Sequence, residues 1–186
     1  MSRLIENCRL YAILDTTYLY GRDAVVVASQ MIEGGVDLIQ LRAKERSDVE
    51  VTALARAILT VTRSKGIPFI INDRPQVAAV VEADGAHVGQ DDLSVAEARR
   101  MIGSGKWVGK STHSLQQALD AEQEGADYIG VGPVFATPTK PDYSPVGLGL
   151  VRQVSSQVKI PFFCIGGIKF ENAPEVIAAG ARRLVV

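Results

Sequence analysis

PFIINDRPQVAAVVEADGAHVGQDD, residues 68–92, spells out one complete structural unit. The apolar run Pro68 to Ile71 breaks off at Asn72-Asp73, a segment of helical pattern follows, and a second run, Ala86 to Val88, ends at Gly89-Gln90-Asp91-Asp92. Strand, helix and strand in so short a span make a βαβ unit, whose two strands lie parallel in one sheet. Parallel strands end on the same side, so Asp73 and Asp92 are expected to meet at one rim. A core has no use for two rim carboxylates, and such a pair suits a hard cation.

Outward from this unit the same alternation runs through the whole chain. Runs rich in β-branched residues predict strands at Leu10–Leu14, Leu38–Leu41, Pro68–Ile71, Ala86–Val88, Trp107–Gly109, Tyr128–Val131, Pro161–Ile165 and Leu184–Val186. Helical periodicity falls near 22–33, 47–64, 75–82, 94–103, 114–124, 146–157 and 172–179. Ser94 and Ser114 read as N-caps, the latter with Gln117 in capping-box position, while Gly34, Gly103, Gly125 and Gly180 stand where helices should end. A small-residue turn followed by aspartate recurs at Gly34-Gly35-Val36-Asp37 and Gly125-Ala126-Asp127 and marks the helix-to-strand turn of a repeat. Eight such units, with no GxGxxG after the first strand, predict a (β/α)8 TIM barrel rather than an open doubly wound sheet. The chain stops at Val186, inside the eighth strand, so the expectation is one barrel domain over residues 1–186, C-terminally short and lacking the final helix.

With 186 residues, 47% hydrophobic and 22% charged, the chain can bury the core of one globular domain. A net charge of −1 gives no basic field, so no nucleic-acid partner is expected and any anion must be held locally. The N-terminus has no signal-peptide pattern, and no apolar run reaches the roughly 20 residues of a membrane span, which predicts a cytoplasmic protein without a membrane partner. Cys8 and Cys164, far apart and outside any CxxC, are expected to be reduced and packed.

Barrel chemistry sits at the strand C-termini. Arg42 and Lys44, two apart at the end of the second strand, would project to one side and suit a phosphate or pyrophosphate; they would serve equally as solvated cations facing Glu45. Mg²⁺ takes one or two carboxylates with waters and phosphate oxygens, which Asp73 and Asp92 could supply. Either aspartate position also suits a helix N-cap, and for Asp91 the cap is the favoured reading. After the fifth strand, Lys110-Ser111-Thr112-His113-Ser114 offers ligand hydroxyls or caps, and His113 is a rim residue able to titrate near neutrality. His87, inside the fourth strand, reads as a barrel residue with a satisfied hydrogen bond. The proline-rich stretch 132–142 carries Thr137, Thr139 and Lys140 and reads as a preorganised binding loop. Gly166-Gly167 would let backbone N–H groups approach an anion, or simply make a tight turn.

In order, QLRAK, IINDR, HVGQDD, GKSTHS, GPVFATPTK and CIGGI resemble the thiamine phosphate synthase family over about Leu10 to Val186. The resemblance implies a transferase of thiamine biosynthesis that joins 4-amino-2-methyl-5-pyrimidinylmethyl diphosphate to a thiazole phosphate. It implies that Gln40, Arg42, Lys44, Asn72, Ser111 and Lys140 contact the pyrimidine diphosphate, that Asp73 and Asp92 hold Mg²⁺, and that Thr137, Thr139 and Gly167 contact the thiazole phosphate. Arg42, Lys44 and Lys140 would receive the departing pyrophosphate. Ala43 stands where the family usually has a charged residue and should point away from the site. The family's second phosphate contact follows strand eight, so this chain is expected to have an incomplete thiazole phosphate site. Two rival readings are a related thiazole tautomerase using His113 and a phosphate-binding barrel without turnover; a homo-oligomer is compatible with any of them.

Overall fold

A computed structural model describes residues 4–137 and 144–186. Eight parallel strands close into a barrel in chain order: β1 (Leu10–Asp15), β2 (Leu38–Arg42), β3 (Phe69–Asn72), β4 (Gly85–Val88), β5 (Trp107–Thr112), β6 (Tyr128–Val131), β7 (Phe162–Cys164) and β8 (Leu184–Val185). Among the described residues seven helices cover it: α1 (Ala24–Glu33), α2 (Asp48–Ser64), α3 (Pro75–Val81), α4 (Val95–Ile102), α5 (Leu115–Gln123), α6 (Gly147–Gln157) and α7 (Ala173–Ala178). The closed eight-stranded barrel is the TIM architecture expected from the sequence, with β8 as the last element among the described residues.

Strand alternation divides the apolar residues into inner and outer sets. Tyr11, Leu38, Ile70, Tyr128, Phe163 and Val185 turn inward and pack with Ile5 and Cys8 to close the barrel floor. The opposite faces meet the helices in two layers, one under α1–α3 and one under α4–α7, each built from Val, Ile, Leu and Ala. Both cysteines are buried, and neither forms a disulfide among the described residues.

Helix starts follow local chemistry. Ser47 with Glu50 and Ser94 with Glu97 form full capping boxes. Ser114 accepts from the Gln117 amide, but the Gln117 side chain reaches back to the His113 N–H, one residue earlier than a capping box requires. Below the barrel, Asp37 accepts from the Arg9 and Leu10 amides, Asp84 from Phe69 and Asp127 from Val108. The recurring aspartate is thus a device that ties the start of β1, β3 and β5 to the turn before the even neighbour of each.

Three local expectations need correction. Asp91 caps nothing, because Ser94 is the N-cap of α4. Asp73 does not cap α3, whose N-cap position is Arg74; Asp73 itself sits at φ 58°. Strand β5 continues through Lys110 to Thr112 instead of ending at Gly109, since Lys110 turns outward, buries its stem and donates from Nζ to the Gly89 carbonyl at 2.8 Å. Among the described residues, no helix is long and apolar enough to cross a membrane.

Candidate functional site

The strand C-termini surround a cavity of about 420 Å³. Its floor is uncharged: Tyr11, Tyr128 and Phe163 meet edge to face with ring centroids 5.3–6.0 Å apart. Above them stand Gln40, Asn72, His87 and Ser111, one each from β2, β3, β4 and β5. Beside this cavity lies a charged recess of about 130 Å³ lined by Arg42, Lys44, Asp73, Gln90, Asp91 and Asp92. Arg42, Asn72, Ser111 and His113 line both spaces, so cavity and recess adjoin.

The recess is a balance of opposed charges. Arg42 pairs with Asp15, its neighbour across the β1–β2 register, and Asp15 also accepts from the Thr17 amide at 3.0 Å. Lys44 pairs with Asp73 at 3.3 Å, half exposed. Burial, and then the facing Asp92 carboxylate, push the Asp73 carboxyl above the ordinary aspartate value; Lys44 opposes them incompletely. Asp92 is fixed from the other side by the Gly89 N–H, 2.6 Å from Oδ2. A methyl group on Gly89 would come within 2.7 Å of that oxygen, so a larger residue there would push the Asp92 carboxylate aside.

Two residues of β5 hold the Gly89-Gln90 turn in place. Lys110 Nζ binds the Gly89 carbonyl, and Gln90 Nε2 donates to the Ser111 carbonyl. Two facing carboxylates, Asp73 and Asp92, beside a phosphate-sized recess match what Mg²⁺ asks of a protein: few carboxylates, with the remaining positions left to water and ligand oxygens. Among the described residues, no group of three or more His, Cys, Asp or Glu could hold a metal, so this pair is not part of a larger cage.

Thr137, Gly166 and Gly167 line the opposite wall of the cavity. At Gly167, φ is 63° and a Cβ would lie 2.6 Å from the Ala136 carbonyl oxygen, so the glycine allows the β7 turn to close on the loop after β6. His113 binds the Gly132 carbonyl through Nδ1, fixing that nitrogen as the donor. Thr139 and Lys140 lie outside the described residues. Ala43 is buried between barrel and helices, turned away from Arg42 and Lys44.

The structure therefore brings Gln40, Arg42, Lys44, Asn72, Asp73, Asp92, Ser111, Thr137 and Gly167 to one rim. Sequence reasoning missed Tyr11, Tyr128, Asp15 and Lys110. The two tyrosines read only as strand apolars. Asp15, directly after an apolar run, carried the same signal as Asp73. Lys110 had none, because its role depends on facing outward.

This rim, polar on one side, charged on the other and carried on a closed parallel barrel, belongs to the ligand-binding TIM barrels. The N-acetylmannosamine-6-phosphate 2-epimerase from Clostridium perfringens shares that fold at TM-score 0.71 and 16% identity, covering 96% of this chain and 85% of the epimerase. The thiamine phosphate pyrophosphorylase from Pyrococcus furiosus is much nearer, with TM-score 0.87 and 35% identity over 96% of this chain and 85% of its own. Thiamine-phosphate synthase of Shouchella clausii is 50% identical over 179 residues, covering 96% of this chain and 86% of the relative. Its counterpart in Halalkalibacterium halodurans is 46% identical over 181 residues, 97% of this chain and 86% of the relative. The thiamine monophosphate synthase family profile matches residues 10–186, and the chain belongs to that family.

Proposed function

We propose that this protein is a thiamine-phosphate synthase, a transferase that joins 4-amino-2-methyl-5-pyrimidinylmethyl diphosphate to a thiazole phosphate and releases pyrophosphate. The observation that carries the reading is the junction of a cavity with an uncharged floor and a charged recess, four side chains lining both. A substrate made of a neutral ring and a diphosphate would lie across that junction, with its breaking C–O bond near Arg42 and Asn72.

The roles follow from placement. Gln40, Asn72 and Ser111 would hold the pyrimidine, and Arg42, Lys44 and Lys140 would take the diphosphate. Thr137, Thr139 and Gly167 would hold the thiazole phosphate. Asp73 and Asp92 would hold Mg²⁺, which when bound neutralises charge on the diphosphate. The electron-rich aminopyrimidine supports a cationic methylene, so the C–O bond breaks first, its electron pair leaves with pyrophosphate, and the thiazole nitrogen supplies the pair for the new C–N bond. Arg42 and Lys44 stabilise the leaving charge. No nucleophile from the protein is needed, and Cys164 is ill suited to be one: it is buried and its thiol is pushed up to about 12.

The test is pyrophosphate release from the two substrates with and without Mg²⁺. Release that needs both substrates and the metal supports the synthase. Proton exchange on a thiazole without pyrophosphate would instead support the tautomerase.

A further inference from the structure

Five side chains from five strands form one continuous hydrogen-bond chain across the cavity floor. Gln40 Nε2 donates to the Tyr11 hydroxyl. The Tyr11 and Tyr128 oxygens are 3.1 Å apart, Tyr128 and His87 Nδ1 3.2 Å, and His87 Nε2 and Ser111 Oγ 3.0 Å. Tyr11, Tyr128 and His87 are all buried. Gly109 makes the passage possible, since a Cβ there would lie 2.2 Å from Tyr128 Cζ and 2.4 Å from His87 Nδ1.

Such a chain has a direction. Each tyrosine hydroxyl has one proton to give, so fixing one end fixes the rest. Tyr11 accepts from the Gln40 amide, which sends its own proton to Tyr128. Tyr128 then donates to His87 Nδ1. A neutral imidazole accepting at Nδ1 carries its proton on Nε2 and donates to Ser111 Oγ. The Ser111 proton is left to point onward. Burial keeps both phenols well above their ordinary pKa, so neither breaks the sequence by ionising.

We propose that this chain sets the polarity of the cavity wall. It presents the Gln40 amide oxygen as an acceptor and the Ser111 hydroxyl as a donor, so that the site selects a pyrimidine carrying an amino group over its oxo counterpart. Tyr11, Tyr128 and His87 are positioning residues for that selection. An oxo group would face the Gln40 oxygen acceptor to acceptor, and relief would require the amide to flip and every bond along the chain to reverse together. The inference rests on the synthase reading for its ligand but not for its geometry.

Two measurements on the full chain test it. Nitrogen-15 NMR of the unaltered protein is expected to show His87 as the Nε2–H tautomer; a protonated Nδ1 overturns the proposed direction. Calorimetric titration with the 4-amino and 4-oxo pyrimidinylmethyl diphosphates is expected to favour the amino form about a hundredfold. Tyr11→Phe, which keeps the ring and removes the relay, should cut that ratio about tenfold or more. Equal binding of the two ligands by the unaltered protein, or an unchanged ratio in Tyr11→Phe, overturns the proposal. Selective binding without pyrophosphate release would sink the synthase reading alone, whereas release without selectivity would sink only this inference.

Discussion

The two halves of the rim hold their side chains by opposite means. In the cavity, neutral groups are locked in a buried hydrogen-bond chain from Gln40 to Ser111. In the recess, Arg42 and Lys44 are already paired with Asp15 and Asp73, and the carboxylates Asp73 and Asp92 work against each other. A ring that must be recognised is best met by dipoles that cannot reorient. A charge that must arrive and leave is better met by ions whose partners can be exchanged. The contrast explains why the recess carries its own internal counter-charges: a cation with a resident carboxylate does not hold a departing anion too tightly.

The largest expected effect comes from breaking the recess. Asp92→Ala should lower metal-dependent pyrophosphate release by about a hundredfold or more, with circular dichroism and melting temperature close to unchanged, because the residue sits at the rim against the Gly89 turn and Asp73, outside the apolar core. A fully active variant would remove Asp92 from the machinery.

An intermediate effect is expected at Lys110→Met, outside the barrel wall. The Gly89 carbonyl loses its ammonium partner, the turn that orients Asp92 loosens, and the apparent affinity for Mg²⁺ should fall about tenfold. The rate at saturating Mg²⁺ should stay close to that of the unaltered protein. A loss of rate with no change in metal affinity would make Lys110 a packing residue instead.

The smallest effect concerns Asp73 in metal-free protein. Its folded pKa is raised, so between the ordinary aspartate value and the raised one the folded state binds more protons than the unfolded, and stability falls as pH rises through that window. Above it the penalty is constant. Asp73→Asn should therefore melt higher than the parent near neutrality, and the gap should close as the pH drops below the ordinary aspartate value. A gap that persists in acid would point to packing rather than charge.

Much of this molecule was legible in its sequence, for reasons that differ by residue. The barrel could be read because helix and strand periodicities alternate and because Asp37 and Asp127 recur after small-residue turns. Asp73 and Asp92 could be read because a parallel sheet sends consecutive strand ends to one rim. Asp91 was misjudged as a cap since a serine three residues on, with Glu97 behind it, competes better for the helix start. Tyr11 and Tyr128 escaped because a tyrosine in an apolar run looks like core until its hydroxyl finds a partner across the barrel, 117 residues away. Lys110 escaped because alternation across a strand edge decides inward from outward, and the reach of β5 beyond Gly109 was not written in its polar residues.

The aspartates beneath the barrel also bear on how the chain reaches its final form. Asp37, Asp84 and Asp127 each tie a strand to the turn just before the next one, so six strands are joined as three neighbouring pairs by bonds spanning at most a few tens of residues. The turn before β8 carries no such aspartate, and β8 meets β1 through the Leu10–Leu184 and Tyr11–Val185 pairs and the bond from the Ile13 N–H to the Val186 carbonyl. Pairing β1 with β8 closes a loop that takes in the whole barrel, whereas each aspartate closes only a short one, so ring closure carries the largest loop entropy of the fold and is the step expected to set the folding rate.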